Sequence, residues 1–302
     1  MHWIKKGLIF KPTYGFDWMH AYAWVPTIEK IGENLYKVYF ASRNKENFSQ
    51  TGYFTFRMNN PLEILTVTEE PVIKLGPLGA FDDSLVVATT FVEMEGRKYI
   101  YYVGWMQGKR VRYYPTIGLA TSDDGGKTYQ KYSCVPIMDR TKSDPFGMAS
   151  PFVLTDNGVW RMWYASYRRW DLRNGEPWPQ YGIRYAESKD GIHWKRCDMF
   201  SIISEKEEAV ARPYVIKEDN KYKMWYSYRE QFSEYRIGYA ESSDGISWDR
   251  FDDKVGIDVS SYGWDSEMIA YPCVFDHNDD RYMLYNGNTL GKDGIGLAVM
   301  KK

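Results

Sequence analysis

One pattern recurs five times along this 302-residue chain, and it limits the possible folds more than any other feature. It is clearest in segments 150–154, 212–216 and 271–275, where a proline precedes a run of apolar residues. The five copies start at Pro26, Thr90, Pro151, Pro213 and Pro272, at intervals of 64, 61, 62 and 59 residues. Copies that span a whole chain indicate a repeat architecture in which each copy is one supersecondary unit.

Each copy predicts four short β-strands. The first strand is apolar and the second is rich in aromatic residues, as in segments 160–164 and 222–226. The third strand leads into a Ser-x-Asp-Gly-x-x-Trp turn at 188–194 and 242–248, and Asp-Gly is typical of tight turns between strands. No helical periodicity is sustained, and four strands per repeat are typical of a propeller blade. The sequence therefore predicts an all-β, five-bladed β-propeller with four-stranded antiparallel blades.

The last copy lacks a fourth strand, because the chain stops at Lys302 directly after the third. Segment 3–10 resembles the fourth strand of the third copy, segment 194–200. We therefore expect the N-terminal strand to complete the last blade, which would close the ring and remove two open sheet edges. Residues 1–302 would then form a single propeller domain.

Composition argues against several classes of function. Lys and Arg number 39 against 40 Asp and Glu, so the net charge of −1 disfavours binding of nucleic acid or membranes through bulk positive charge. No apolar run approaches the length of about 18 residues that a membrane span needs, and the N-terminus lacks a signal-peptide core. Cys134, Cys197 and Cys273 have neither disulfide-framework nor zinc-ligand spacing. These features predict a cytoplasmic protein with no metal site and no cofactor.

The blade pattern and its closing turn resemble the five-bladed propellers of glycoside hydrolase families 43, 32 and 130, over nearly the whole chain. The turn is also similar to the Asp-box of sialidases, which segment 122–129 fits as Ser-x-Asp-x-Gly-x-x-aromatic. Such turns are structural, so we expect Asp124, Asp190 and Asp244 to cap their own turns and the aromatic residue to pack between blades.

The resemblance does not extend to the catalytic residues. In families 43 and 32 acidic residues stand just before the proline-type blade starts, and in family 130 an acidic residue begins the second blade. The matching positions here carry no acid: Val25, Thr89, Thr90, Ser150, Ala211 and Arg212. The resemblance therefore implies the fold and a carbohydrate ligand, and the catalytic groups must be sought elsewhere.

Strand direction indicates where they should be. Residues just before the first strand and just after the second strand of each blade should converge at one mouth of the central channel. Glu208 and Glu267 both stand five positions before a blade-starting proline, which makes them the predicted acid/base pair. Glycosidic cleavage needs two carboxyl groups about 5–10 Å apart. Asp83, which precedes the first strand of the second copy, is the third candidate carboxylate. The alternative is that these acids are solvated or cap turns.

The candidate substrate-binding residues occupy the same two kinds of position. Arg43, Arg168 and Arg229 follow second strands, with Arg212 nearby, and guanidinium forks suit a carboxylate or phosphate. The alternative for these arginines is ion pairing between blades. The full set is His20, Arg43, Trp105, Asp144, Arg168, Arg212, Arg229 and Tyr271.

These features predict a glycoside hydrolase-like, carbohydrate-active enzyme that acts on a glycosidic linkage of an anionic or activated sugar by carboxylate acid/base catalysis. One alternative is a transferase or sugar-modifying enzyme of a surface-polysaccharide pathway, acting on a phosphate- or nucleotide-linked sugar. The other is a non-catalytic glycan-binding or scaffold propeller. In each case the expected partner is a small-molecule sugar or oligosaccharide.

Overall fold

Strands make up almost all the regular structure of the computed structural model, which describes residues 1–13, 15–203, 209–230 and 233–302. Strand β1 spans Ile4–Phe10. Unit 1 contains β2 (Ala21–Lys30), β3 (Leu35–Arg43), β4 (Ser49–Arg57) and β5 (Asn60–Val67). Unit 2 contains β6 (Leu85–Met94), β7 (Arg97–Gln107), β8 (Tyr113–Ser122) and β9 (Gln130–Lys131). Unit 3 contains β10 (Met148–Asp156), β11 (Val159–Arg173), β12 (Glu176–Ser188) and β13 (Lys195–Ile202).

The last two units follow the same order. Unit 4 contains β14 (Ala209–Glu218), β15 (Lys221–Arg229), β16 (Arg236–Ser242) and β17 (Asp249–Arg250), followed by a 3-10 turn at Asp252–Lys254. Unit 5 contains β18 (Ala270–His277), β19 (Asp280–Asn286) and β20 (Ile295–Lys301), with one helical turn at Asn288–Gly291. Within the described part of the chain, no helix is long and apolar enough to cross a membrane.

Each unit is an antiparallel sheet in which consecutive strands pair. A single parallel pairing, Ser49 with Leu85, joins the sheets of units 1 and 2. The first strands also contact one another in a cycle: β2 with β6, β6 with β10, β10 with β14, β14 with β18, and β18 with β2. The beginnings of these five strands are therefore brought close together, which is what positions the site.

The N-terminal strand completes the sheet of unit 5. Strand β1 pairs antiparallel with β20, from Ile4 opposite Val299 to Phe10 opposite Ile295. Trp3, Ile9 and Phe10 are buried. The predicted pairing of the two chain ends is confirmed.

A Tyr–Asp–cation triad ties the strands together within four of the units, and its aspartate is buried in all of them except unit 4. In each, the tyrosine of the second strand donates to an aspartate, which also pairs with a Lys or Arg near or on the outer strand. The triads are Tyr102–Asp82–Lys131, Tyr164–Asp144–Arg196, Tyr226–Asp252–Arg250 and Tyr285–Asp265–Lys5. Because Lys5 lies on β1, the N-terminal strand supplies the cation of the last triad. Such pairing is what a carboxylate needs in order to be buried.

The Asp-box turns stabilise the contacts between units. Asp190 accepts hydrogen bonds from the backbone N–H groups of Ile192 and His193, both at 2.9 Å. The carbonyl of Gly191, in the same turn, accepts a 2.7 Å hydrogen bond from the hydroxyl of Tyr101 in unit 2. The turn around Asp244 is built in the same way, with Trp163 of unit 3 donating to Gly245. The expectation that these aspartates are structural caps is confirmed.

Candidate functional site

A cavity of about 360 Å³ opens where the five first strands begin. Every unit contributes to its lining, through Val25, Thr89, Ser150, Ala211 and Tyr271. The cavity therefore lies where the units converge.

The backbone around the cavity is strained. Val25, Ser150, Arg212 and Tyr271 have φ values of 54°, 50°, 52° and 57°, although none of them is glycine. Each stands directly before a proline, where the strand pairing shifts register. Left-handed conformations cost non-glycine residues about 1–3 kcal/mol each and cluster at functional sites. Their repetition at one cavity supports a functional role for it.

Nine aromatic side chains are among the described residues that line the cavity. Trp105 stacks on Tyr113 with ring centroids 4.2 Å apart and an interplanar angle of 17°. Strands β11 and β12 extend as a long hairpin, whose Trp170 and Trp178 also line the cavity. The remaining aromatic lining residues are Trp24, Tyr167, Tyr181, Tyr235 and Tyr271.

The charged lining residues that the structure describes are all arginines: Arg43, Arg112 and Arg229. Arg229 has its guanidinium 4.1 Å from the ring centroid of Trp178 and 4.8 Å from that of Tyr235. Arg43 lies 4.4 Å from the ring of Tyr22 in the same way. Stacking on an aromatic face holds a guanidinium in place without using its N–H groups.

Burial favours the protonated form of two cavity tyrosines, Tyr113 and Tyr271. Burial raises the pKa of Tyr113 to about 12. Burial is also the main cause of the raised pKa of Tyr271. At neutral pH these groups therefore can donate hydrogen bonds to a ligand.

Four predicted residues line the cavity, namely Arg43, Trp105, Arg229 and Tyr271. Arg212 does not, because it is completely buried. Its guanidinium reaches from unit 4 to unit 1, donating to the carbonyl of Pro26 at 2.8 Å and to Oγ1 of Thr27 at 3.1 Å. It links two units that are not neighbours in the cycle.

Two predicted aspartates are held by structural contacts. Asp144 is fully buried in its triad, where it also accepts a 2.5 Å hydrogen bond from Ser166. The carboxylate of Asp83 accepts from the backbone N–H of Gly79 at 2.9 Å and from the hydroxyl of Ser84 at 2.6 Å, so it caps its own loop. Neither aspartate lines the cavity.

The other predicted residues lie outside the cavity lining. Glu267 is exposed, and its backbone carbonyl accepts a 2.8 Å hydrogen bond from Arg236. Arg168 packs 6.0 Å from the ring centroid of Phe200. His20 is exposed beside Arg43, whose carbonyl accepts its backbone N–H at 2.8 Å. Glu208 lies outside the described residues.

Sequence reasoning missed a third source of cavity residues, the starts of the third strands. Tyr113 begins β8, Tyr235 directly precedes β16, and Tyr181 lies within β12 opposite Tyr167; all three line the cavity. It also missed the hairpin residues Trp170 and Trp178. The signal was the longer separation between second and third strands in the third copy, which is rich in Trp and Pro. Over the described ranges, no cluster of three His, Cys, Asp or Glu side chains is placed to hold a metal ion.

Sequence comparison finds relatives along the full length of the chain, although no family model matches. The uncharacterized proteins Rv1502 and MT1551, from two strains of Mycobacterium tuberculosis, are each 37% identical over 303 residues, covering 100% of both chains.

Comparison with solved structures identifies the fold. BT0996, solved in an RGII complex, has a TM-score of 0.78 and 18% identity, over 99% of this chain and 91% of that one. A thermostable family-43 glycoside hydrolase has a TM-score of 0.68 and 16% identity, over 96% and 92%. A β-1,2-mannobiose phosphorylase from Listeria innocua has a TM-score of 0.71 and 11% identity, over 100% and 97%. The chain therefore has an all-β fold similar to that of glycoside hydrolase-like propellers.

Proposed function

The chain belongs to the family of the uncharacterized protein Rv1502, and we propose that it is a glycoside hydrolase-like, carbohydrate-active enzyme. It acts on a glycosidic linkage of an anionic or activated sugar, and its ligand is a small sugar or oligosaccharide. The five units are the blades of a five-bladed propeller that forms one domain over residues 1–302. The cyclic contact of the first strands supports this arrangement.

The observation that carries the proposal is the cavity at the convergence of the units. Its Trp and Tyr rings offer flat apolar surfaces, against which the C–H faces of a sugar ring can stack. Its arginine and tyrosine groups offer donors for sugar hydroxyls and for an anionic group. A concave, mostly apolar site with a few converging polar groups is the usual form of a small-molecule site.

Cleavage needs a proton donor for the leaving oxygen and a second carboxylate that activates water or attacks the sugar. We propose Glu208 as the donor. The next residue, Ala209, pairs across the sheet with the cavity-lining Arg229. Glu267 and Asp83 are the proposed alternatives for the second carboxylate. Of these, Asp83 is already engaged in capping its loop.

The test measures turnover on a panel of neutral and uronic-acid aryl glycosides. Glu208→Gln keeps the shape of the side chain but cannot donate the proton, so turnover should fall about 100-fold or more. The matched control is Glu33→Gln, a change at an exposed turn, which should leave turnover unaltered. Glu267→Gln and Asp83→Asn identify the second carboxylate. If none of the three carboxylate variants loses turnover, the acid/base assignment is wrong.

Non-catalytic glycan binding is the second candidate. It is favoured by one observation, that no carboxylate is among the described residues lining the cavity. Saturable binding of a sugar with no turnover of any glycoside or phosphate-linked sugar would select it. Turnover of a phosphate- or nucleotide-linked sugar alone would instead select a transferase or sugar-modifying enzyme, which the arginines of the cavity also suit.

A further inference from the structure

Arg229 is held in a fixed orientation on the wall between units 3 and 4. Its guanidinium packs against Trp178 of the β11–β12 hairpin and Tyr235 at the start of β16. The side chain is half-buried and lines the cavity. An aromatic clamp of this kind reduces the conformational freedom that an arginine loses when it binds a ligand.

The electrostatic effects of Arg229 and of the other cavity arginines overlap at two tyrosine hydroxyls. The charges of both Arg229 and Arg43 act on the hydroxyl of Tyr271, and those of Arg229 and Arg112 act on the hydroxyl of Tyr113. All three arginines line the same cavity. The tyrosine hydroxyls of that cavity add further donors.

The positive charge of this cavity has little compensation from the residues that the structure describes. Arg112 pairs with Glu176 at 3.4 Å, and both of these side chains are exposed. Arg43 bonds the amide oxygen of Asn47, and its Nε donates to no described atom. Nε and Nη1 of the fully buried Arg212, which follows the cavity-lining Ala211, likewise find no acceptor among the described residues. Burial of cations without carboxylate partners is costly, and a bound anion would offset that cost.

We propose that the cavity contains an anion subsite centred on Arg229, which receives a carboxylate or phosphate group of the ligand. Arg43 and Arg112 contribute charge, and the hydroxyls of Tyr113 and Tyr271 donate hydrogen bonds. The subsite rests on the proposed function, which it deepens by placing the anionic group of the sugar against the wall between units 3 and 4. Two N–H groups of the guanidinium can bind two oxygens of the anion at once.

The test is calorimetric binding of four probes at constant ionic strength: inorganic phosphate, glucose 1-phosphate, glucuronate and neutral glucose. The wild-type protein should bind the anionic probes more tightly than glucose. Glucose 1-phosphate and glucuronate then distinguish a phosphate-bearing from a carboxylate-bearing ligand. Added sodium chloride should weaken binding of the anions, with little effect on glucose.

Arg229→Met keeps an apolar stem against Trp178 but removes the donors, so anion affinity should fall about 10-fold or more. Arg229→Lys keeps the charge but loses the two-point contact, and its loss should be smaller. The control is Arg57→Met, at an exposed site outside the cavity. Because Arg43 is the second guanidinium, Arg43→Met tests the subsite independently if Arg229→Met does not fold.

The possible results distinguish failure of the anion-subsite proposal from failure of the proposed carbohydrate function. Equal wild-type affinity for glucose and the anionic probes, or unchanged anion affinity in Arg229→Met, overturns the subsite and leaves a neutral-sugar site standing. Binding of inorganic phosphate that depends on Arg229, with no binding of any sugar, supports the subsite and contradicts the carbohydrate function. No binding of any anionic probe overturns the subsite.

Discussion

Replacing Trp3 by alanine should destabilise the whole domain, although Trp3 is the third residue of the chain. The side chain is only 5% exposed, its indole N–H donates to the carbonyl of Val255 at 3.0 Å, and its ring lies edge-on to Trp225 at 6.4 Å. It thereby links β1 to unit 4 as well as to unit 5. Truncating a buried tryptophan costs about 3–5 kcal/mol.

The assay is urea unfolding. If m is about 3 kcal/mol/M, a loss of this size lowers the midpoint by about 1 M or more. The matched control is Ile4→Ala, on the next residue, because the side chain of Ile4 is 50% exposed and should contribute little. Deletion of residues 1–10 should be more severe, since it also removes Ile9, Phe10 and the cation of the last triad. An unchanged midpoint in Trp3→Ala, or equal effects at positions 3 and 4, would refute the closure of the domain by its N-terminal strand.

Two further predictions concern charged groups away from the cavity. Asp190→Ala removes a turn cap and should lower the free energy of unfolding by about 1 kcal/mol with no change in ligand affinity, as measured by urea unfolding and calorimetry. Lys223 and Arg281 lower the pKa of Glu218 from 4.5 to about 2, so its ionised form stabilises the fold above pH 4.5, and this contribution is lost as the pH falls towards 2. The stability difference between wild type and Glu218→Gln should therefore be larger at pH 6 than at pH 3, and a difference independent of pH would contradict the assignment.

The repeat made most of the fold predictable from the sequence. Strand positions follow from apolar and aromatic runs that recur at one spacing, and the missing last strand pointed directly to segment 3–10. Some cavity residues were also predictable, because strand direction alone places the ends of the second strands at the cavity. Arg43, Trp105 and Arg229 are of this kind.

Side-chain orientation was not predictable at the same level. Tyr167 lines the cavity, whereas Arg168 packs against Phe200, because the pairing of β11 with β12 shifts register at Arg168 and such irregularities redirect side chains. Asp144 precedes a first strand, as a cavity acid would, but Arg196, which is 52 residues further along the chain, pairs with it in the interior. An offset from a proline specifies the end of the sheet at which a residue lies. It does not specify whether that residue faces the cavity or the core.

The triads and the cavity together explain how a chain of net charge −1 can have only arginines as the charged described residues of its cavity lining. Three aspartates that precede first strands, Asp82, Asp144 and Asp265, are neutralised inside their own units. The cavity guanidinium of Arg229 instead packs against aromatic rings among the residues that the structure describes, those of Trp178 and Tyr235. The acids therefore lie inside the units, where they pair with cations. The arginines lie at the cavity, where two of them pack against aromatic rings. Among the described residues, this division leaves arginines and no carboxylate in the cavity lining.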